Sequence, residues 1–357
     1  MSNSLPTKTR QWTLSAHPTG LPTYGSPSDT FTLEEKDLPA LTHNQILIQT
    51  LYLSNDPAQR GWIAPPSQID PKRLYVPPVQ PGEPMRARGL GKVLASKNDE
   101  FKEGDTVQCN ACWREYAVLD AGDPAQGVRK VKELPGGLSV THYLGALGST
   151  GLTAWYGLVE VVGCKKGERV VVSGAAGATG SMVVQIAKHI VGASYVVGIA
   201  GSDEKCKWVE GLGADKCLNY KSPTFEKDLK DACGDGVDVY FDNVGGEILD
   251  HMLANMSLNG RISACGAITG YNGEAALPMK NYFNVISMRL QIKGFIVIDF
   301  LHKAVETIGK LVGAVQEGKI KIGSENETVV ETKFEDVPGT WLKLFEGGNQ
   351  GKLVTKL

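Results

Sequence analysis

The spacing of apolar residues changes character along the chain. Between about residues 13 and 132 the apolar runs are short and broken by proline and glycine. Gln45-Ile46-Leu47-Ile48-Gln49-Thr50-Leu51-Tyr52-Leu53 reads as a strand, with others at 91–95 and 105–107. The proline-rich stretch 65–84 must be loop, because proline has no N–H for a ladder. This zone predicts a small β-rich barrel. From about 144 to 299 the pattern alternates. A β-branched run at 168–173 precedes a helix at 181–190, where Met182, Val183, Ile186, Ala187 and Ile190 fall at helical spacing. A strand at 195–199, a helix at 203–212, a strand at 237–241, a helix around 248–256 and a strand at 261–265 follow. Such alternation predicts a parallel sheet with helices on both faces. Beyond 301 the pattern gives helices at 304–317 and 337–346 and a strand-like run at 327–332. That zone is too short to be a domain, so it is expected to complete the first. The predicted organisation is 1–140 completed by 301–357, with 141–300 inserted.

The segment Ser173-Gly174-Ala175-Ala176-Gly177-Ala178-Thr179-Gly180 follows a strand and opens a helix. Small residues there let the backbone turn tightly and approach a pyrophosphate, and the helix N-terminus offers unpaired N–H groups to the anion. The inserted zone is therefore expected to bind a dinucleotide. An NAD-preferring site puts a carboxylate at the end of the second strand. Here that strand ends in Ile199-Ala200-Gly201-Ser202, and Lys205 follows in the first helical turn. A hydroxyl and a cation suit a 2′-phosphate, so NADPH is the expected cofactor. Asp203 and Glu204 would repel that phosphate if they pointed inward; as residues at a helix start they have an ordinary capping and dipole role.

Composition narrows the alternatives. The chain has 357 residues, 42% hydrophobic and 21% charged, the balance of an ordinary globular protein. A net charge of −2 gives no electrostatic reason to expect nucleic acid or an anionic membrane as partner. No apolar run is long enough to span a bilayer, residues 1–6 lack a secretory h-region, and 354–357 match no anchoring or retention tail, so a cytoplasmic protein is expected. Among seven cysteines only Cys109 and Cys112 have metal-like spacing, and no second pair or nearby histidine closes a four-ligand set. They read as buried or half-buried thiols, with redox sensitivity as the alternative.

Several further motifs run in order along the chain. They are Leu51-Tyr52-Leu53-Ser54-Asn55-Asp56-Pro57, the glycine loop, Ala200-Gly201-Ser202-Asp203-Glu204-Lys205, Leu218-Asn219-Tyr220-Lys221 and Tyr240-Phe241-Asp242-Asn243-Val244-Gly245-Gly246. Cys265-Gly266-Ala267-Ile268, Gly294-Phe295-Ile296-Val297 and Gly348-Asn349-Gln350-Gly351-Lys352 complete the series. With these the chain resembles the leukotriene/prostaglandin reductase and alkenal double-bond reductase branch of the zinc-independent medium-chain dehydrogenase/reductase superfamily. The resemblance implies an α/β fold with a GroES-like β-rich barrel catalytic domain and an inserted Rossmann domain. It implies that Gly177, Ala178, Thr179 and Gly180 hold the pyrophosphate, Lys205 and Tyr220 the adenosine 2′-phosphate, and Asn243 the ribose. Cys265, Gly266, Ala267, Ile268 and the stretch to Tyr271 would line the nicotinamide, with the backbone of Phe295, Ile296 and Val297 and with Asn349. Tyr220 as a core-edge aromatic, and Asn243 and Asn349 as turn residues, remain open readings.

Zinc-dependent relatives carry a cysteine after the first long strand, a Gly-His-Glu motif and a four-cysteine lobe. This chain has Ser54-Asn55-Asp56-Pro57 and Pro81-Gly82-Glu83-Pro84 instead, so no metal is expected. Hydride addition to an activated alkene leaves an enolate, which a hydroxyl donor stabilises. By resemblance Tyr271 is that donor, and Tyr52 is a second catalytic candidate at the substrate mouth. The family reads Asp-Pro-Tyr-Met-Arg where this chain has Asp56-Pro57-Ala58-Gln59-Arg60, and Gly270 stands where a bulkier residue is common; both depart at the substrate side. The expected function is NADPH-dependent reduction of the C=C bond of α,β-unsaturated ketones or aldehydes, by a homodimer pairing through the sheet edge at 291–298. A zinc-free alcohol dehydrogenase or quinone/carbonyl reductase, and a non-catalytic NADPH-binding protein, are the alternatives.

Overall fold

A computed structural model describes residues 4–26, 29–273 and 278–357. The chain divides into two compact units. Unit 1 is Met1–Leu144 with Thr328–Gly348 and Leu353–Leu357; unit 2 is Gly145–Glu327 with Asn349–Lys352. Among the described residues no helix is long and apolar enough to cross a membrane.

Unit 1 begins with an antiparallel pair, β1 (Lys8–Leu14) and β2 (Phe31–Asp37). The long strand β3 (Gln45–Ser54) is followed by a short helix α1 (Gln59–Trp62). Then come β4 (Gly89–Ser96), β5 (Thr106–Cys109), β6 (Tyr116–Asp120) and β7 (Arg129–Lys130). β3 lies antiparallel between β4 and β6, which is why it is long and largely buried. The stretch 65–84 holds no strand, as its prolines require, and only one 3-10 turn, Pro71–Arg73.

Unit 2 follows the predicted alternation. In order it contains α2 (Ser149–Trp155), β8 (Arg169–Val172), α3 (Ala178–Gln185), β9 (Tyr195–Ala200), α4 (Asp203–Gly211) and β10 (Lys216–Asn219). It continues with α5 (Phe225–Cys233), β11 (Val237–Asp242), α6 (Gly246–Leu253), β12 (Met256–Ala264), α7 (Phe283–Ser287), β13 (Gln291–Gly294) and α8 (Ala304–Gln316). The six strands form one parallel sheet in the order β10-β9-β8-β11-β12-β13. Strands buried on both faces explain the unbroken apolar runs in the sequence. Val170, Val171, Val172, Val196, Val239, Tyr240 and Phe241 are all fully buried.

The remaining strands and helix return to unit 1: β14 (Glu327–Glu331), α9 (Val337–Glu346) and β15 (Lys352–Lys356). They extend the unit 1 sheet to β14-β15-β3-β4-β5-β7, and Trp341 packs edge-on against Trp113 in its core, ring centroids 5.7 Å apart.

Two sequence boundaries move. The return to unit 1 starts at Thr328 rather than 301, because α8 buries Ala304, Thr307, Leu311 and Ala314 within unit 2. There the Tyr156 hydroxyl donates to Thr307 Oγ1 at 3.1 Å, and Phe300 stacks on Tyr156. The strand expected over 291–298 ends at Gly294, and a 3-10 segment, Val297–Lys303, takes over.

Candidate functional site

The unit 2 sheet runs outward in both directions from β8: its next strand in sequence, β9, lies on one side, and β11 on the other. The loops leaving β8 and β11 therefore diverge at their carboxyl ends, the place where open α/β sheets bind ligands. The glycine loop occupies that crevice. Gly174 has φ of +57°, a conformation that favours glycine. A Cβ on Gly180 would lie 2.2 Å from the Gly174 carbonyl oxygen, so the first turn of α3 packs on the loop only without a side chain. The first helical bond of α3 runs from Ser181 N–H to Gly177 O. The amides of Ala178, Thr179 and Gly180 thus precede the helical ladder and face outward with the positive end of the dipole. A pyrophosphate fits this cradle.

The segment Asn349–Lys352 belongs to the same unit and completes the loop from outside. Gly351 N–H donates to Ala176 O at 2.8 Å and bridges Gly177, while the Asn349 amide donates to Gly351 O at 2.9 Å. Gly351 sits at φ +63°, with room for no Cβ because the Asn326 carbonyl would lie 1.9 Å away. Asn349 is thus placed by a turn and also carried to the glycine loop.

At the end of β9 the Ser202 hydroxyl caps α4 by accepting from Lys205 N–H at 3.3 Å. The Tyr220 ring packs against Gly201, where an added Cβ would meet its Cε1 at 3.1 Å. Lys205 is half-buried; burial, and secondarily the like charge of Lys221, lowers its pKa. Lys221 itself lies over the Tyr220 ring. Asp203 turns its carboxylate to the Asn219 amide at 2.8 Å, and Glu204 is exposed. Two lysines that feel each other's charge, Lys205 and Lys221, with Asp203 already engaged, form a surface to which a phosphate is complementary.

Under the glycine loop lies a buried carboxylate that sequence reasoning did not single out. Asp242, 2% exposed, accepts at Oδ1 from Ser173 Oγ (3.1 Å), the Tyr240 hydroxyl (2.8 Å), Val244 N–H (3.0 Å) and Gly245 N–H (2.9 Å). Asn243 N–H donates to Ser173 Oγ at 3.0 Å and its side-chain amide to Ser173 O at 2.7 Å. Burial, reinforced by Asp242, holds the Tyr240 phenol well above its ordinary pKa. The clue in the sequence is an acid at the end of an otherwise apolar strand.

The loop after β12 packs on the loop after β11. Cys265 and Gly266 N–H groups both donate to Asp242 O, and Thr269 Oγ1 donates to Val244 O at 2.8 Å. Gly266 has the Asn243 carbonyl 3.0 Å and the Tyr271 hydroxyl 3.4 Å from where a Cβ would stand. Tyr271 closes a 3-10 turn over Ile268–Gly270, its hydroxyl accepting from Ala267 N–H at 3.3 Å. Burial pushes the Cys265 thiol up to about 12, so it is not a nucleophile at neutral pH. Phe295, with Ile296 and Val297 half-buried after it, meets Phe241 edge-on at 6.4 Å.

Tyr52 lies in unit 1, half-buried beside Leu90, Leu144 and Val354. Cys109 is buried, with its pKa raised to about 12, and Cys112 is half-buried. Among the described residues no three His, Cys, Asp or Glu side chains converge as metal ligands.

Fold and site together define an oxidoreductase built on a dinucleotide-binding sheet. A family model described as the N-terminal domain of oxidoreductase matches residues 10–128, and one described as zinc-binding dehydrogenase matches 178–313. Prostaglandin reductase 1 of Mus musculus is 36% identical, across 97% of this chain and 98% of the relative. The NADP(+)-dependent 2-alkenal reductase of Nicotiana tabacum is 37% identical across 87% of each. CurA from Vibrio vulnificus, solved in complex with NADPH, superposes with a TM-score of 0.84 at 31% identity, covering 97% of this chain and 98% of CurA. The chain belongs to the medium-chain dehydrogenase/reductase superfamily, in the branch of the prostaglandin and alkenal reductases.

Proposed function

We propose that this oxidoreductase uses NADPH to reduce the carbon–carbon double bond of α,β-unsaturated ketones or aldehydes, without a metal. The cofactor choice rests on the end of β9, where Ser202 caps the helix carrying Lys205, Lys221 lies over the Tyr220 ring and Asp203 is engaged by Asn219. Bound NADPH supplies the hydride. The amides of residues 178–180 bind its pyrophosphate, and Asn243, Ala267 and the backbone of 295–297 line its nicotinamide half. The Tyr271 hydroxyl, held at the Ala267 amide, is the donor that stabilises the enolate oxygen. The names of the alkenal and prostaglandin relatives support the substrate class. The observation that supports the reading most is the Tyr271 phenol at the Ala267 amide, in the loop after β12, with no three metal-ligating side chains converging among the described residues. A screen of NADPH consumption over enones, enals, quinones and ketones, with product identification, tests it. A saturated ketone with its carbonyl intact is expected; an allylic alcohol would overturn the assignment.

We further propose a homodimer paired along β13. All four residues of this edge strand are exposed, with Ile292 at 43%. An unprotected edge of this kind invites a second copy. Ile292→Lys is expected to shift the sedimentation coefficient from dimer to monomer, and an unchanged dimer would move the interface elsewhere.

A further inference from the structure

The inner stripe of α4 lays Cys206 and Val209 on the unit 2 sheet, 7% and 0% exposed. Cys217, 8% exposed, stands beside Gly198 in the parallel register of β10 and β9. Gly198 is what permits the close approach: a Cβ there would stand 2.7 Å from Val209 Cγ1 and 3.0 Å from Cys217 Sγ. The helix therefore seats tightly enough on the two strands for the Cys206 and Cys217 thiols to share a hydrogen bond.

The two thiols differ in role. Burial raises the pKa of both, but their shared bond raises Cys217 further and favours the thiolate of Cys206, so Cys217 donates and Cys206 accepts. The Ala200 amide also favours the Cys206 thiolate, and the first turn of α4 places it at the positive end of a helix dipole. Cys206 is thus the better nucleophile of a buried pair that only a small oxidant reaches. Its N–H donates to Ser202 O at 3.0 Å, and it directly follows Lys205. Cys217 stands two residues before Asn219, which holds Asp203, and three before Tyr220, which packs on Gly201. The pair therefore joins the two segments that frame the proposed 2′-phosphate site.

We propose that hydrogen peroxide closes Cys206 and Cys217 into a reversible disulfide, and that this bond weakens the 2′-phosphate end of the cofactor site. The Cys206 sulfur attacks one peroxide oxygen and the O–O bond breaks; Cys206 becomes a sulfenic acid, and the other oxygen leaves with the thiol proton as water. The Cys217 sulfur then displaces the sulfenic hydroxyl, which departs with the Cys217 proton as a second water. Two thiols are oxidised and one peroxide is reduced, and a small dithiol reverses the bond by exchange. A disulfide is shorter than a thiol hydrogen bond and fixes its own dihedral angle. Closure thus drags the first turn of α4, with Ser202 and Lys205, off the register that Asn219 and Tyr220 hold. The proposal rests on the NADPH reading for what the bond controls, and on α4 and β10 alone for whether it forms.

The test treats the full-length enzyme with hydrogen peroxide, alkylates the remaining thiols and maps disulfides by mass spectrometry, before and after dithiothreitol. A bond between Cys206 and Cys217 is expected, and dithiothreitol should remove it. By fluorescence titration the oxidised enzyme should bind NADPH about tenfold more weakly, within the usual range of coupling between sites, and NADH nearly as before. By reciprocity, saturating NADP+ should move the thiol–disulfide midpoint about 30 mV in the positive direction, the two-electron equivalent of that tenfold. Cys217→Ala should lose both responses while binding NADPH like the reduced parent. Absence of the bond from the parent's map, or a bond between Cys109 and Cys112 in its place, overturns the proposal whether or not the variant folds. A mapped bond that leaves NADPH affinity unchanged, or weakens NADH equally, overturns it as well. A reduced enzyme that binds NADPH no better than NADH brings down the cofactor reading instead, and the mapped bond then stands without it.

Discussion

Lys205 and Tyr271 carry the two halves of the proposed chemistry, and each is separable by substitution. Lys205 lies where burial and Lys221 both disfavour its charge, so an anionic partner restores what the fold takes away. Lys205→Ala is expected to weaken NADPH binding by roughly 1.5–3 kcal/mol, the range for hydrogen bonds to a charged group. NADH, with no 2′-phosphate, should change little; equal losses by fluorescence titration would make the lysine structural. The Tyr271 hydroxyl is worth most where charge develops. Tyr271→Phe should therefore lower kcat by about tenfold or more, roughly 1.4 kcal/mol, and leave NADPH affinity nearly as it was. Unchanged turnover would remove the phenol from the mechanism.

At the level of elements, the Asp242 network decides whether the loops after β8 and β11 keep their shape. One carboxylate oxygen accepts four donors, and removing it leaves the amides of Val244 and Gly245 and the hydroxyls of Ser173 and Tyr240 to find other partners. Asp242→Ala should cost roughly 3 kcal/mol in urea unfolding, whereas Asp242→Asn, which keeps an acceptor oxygen, should cost clearly less. Equal stability of the alanine variant and the parent would show the network to be incidental. This network also marks the limit of what the sequence reveals. The glycine loop was legible because strand, turn and helix start are adjacent in the chain, and the β–α alternation was legible because each element carries its own period. Asp242 and Ser173 meet across 69 positions, and nothing local in either announces the other. The end of β13 was misjudged for a similar reason. Phe295-Ile296-Val297-Ile298 is apolar and β-branched, but pairing, which a single strand cannot display, stops at Gly294. The placement of α8 was hidden too, since its apolar stripe records that it packs and not on what.

For the molecule as a whole, the reading implies activity that owes nothing to a metal. With no three ligand side chains converging among the described residues, full NADPH oxidation is expected after exhaustive chelation, with no stoichiometric zinc by elemental analysis. One zinc per chain, lost together with activity, would return the protein to metal-assisted chemistry. The strand Lys352–Lys356 and the turn before it bear on how the molecule comes to exist. Gly351, whose amide closes on Ala176, follows it by 175 positions. On a ribosome the sheet and glycine loop of unit 2 emerge long before that partner does, and the chain adds Thr328–Gly348 of unit 1 in between. A nascent chain therefore cannot finish its nucleotide cradle when the sheet and glycine loop are made, and the cofactor meets a complete site only after synthesis has passed that turn.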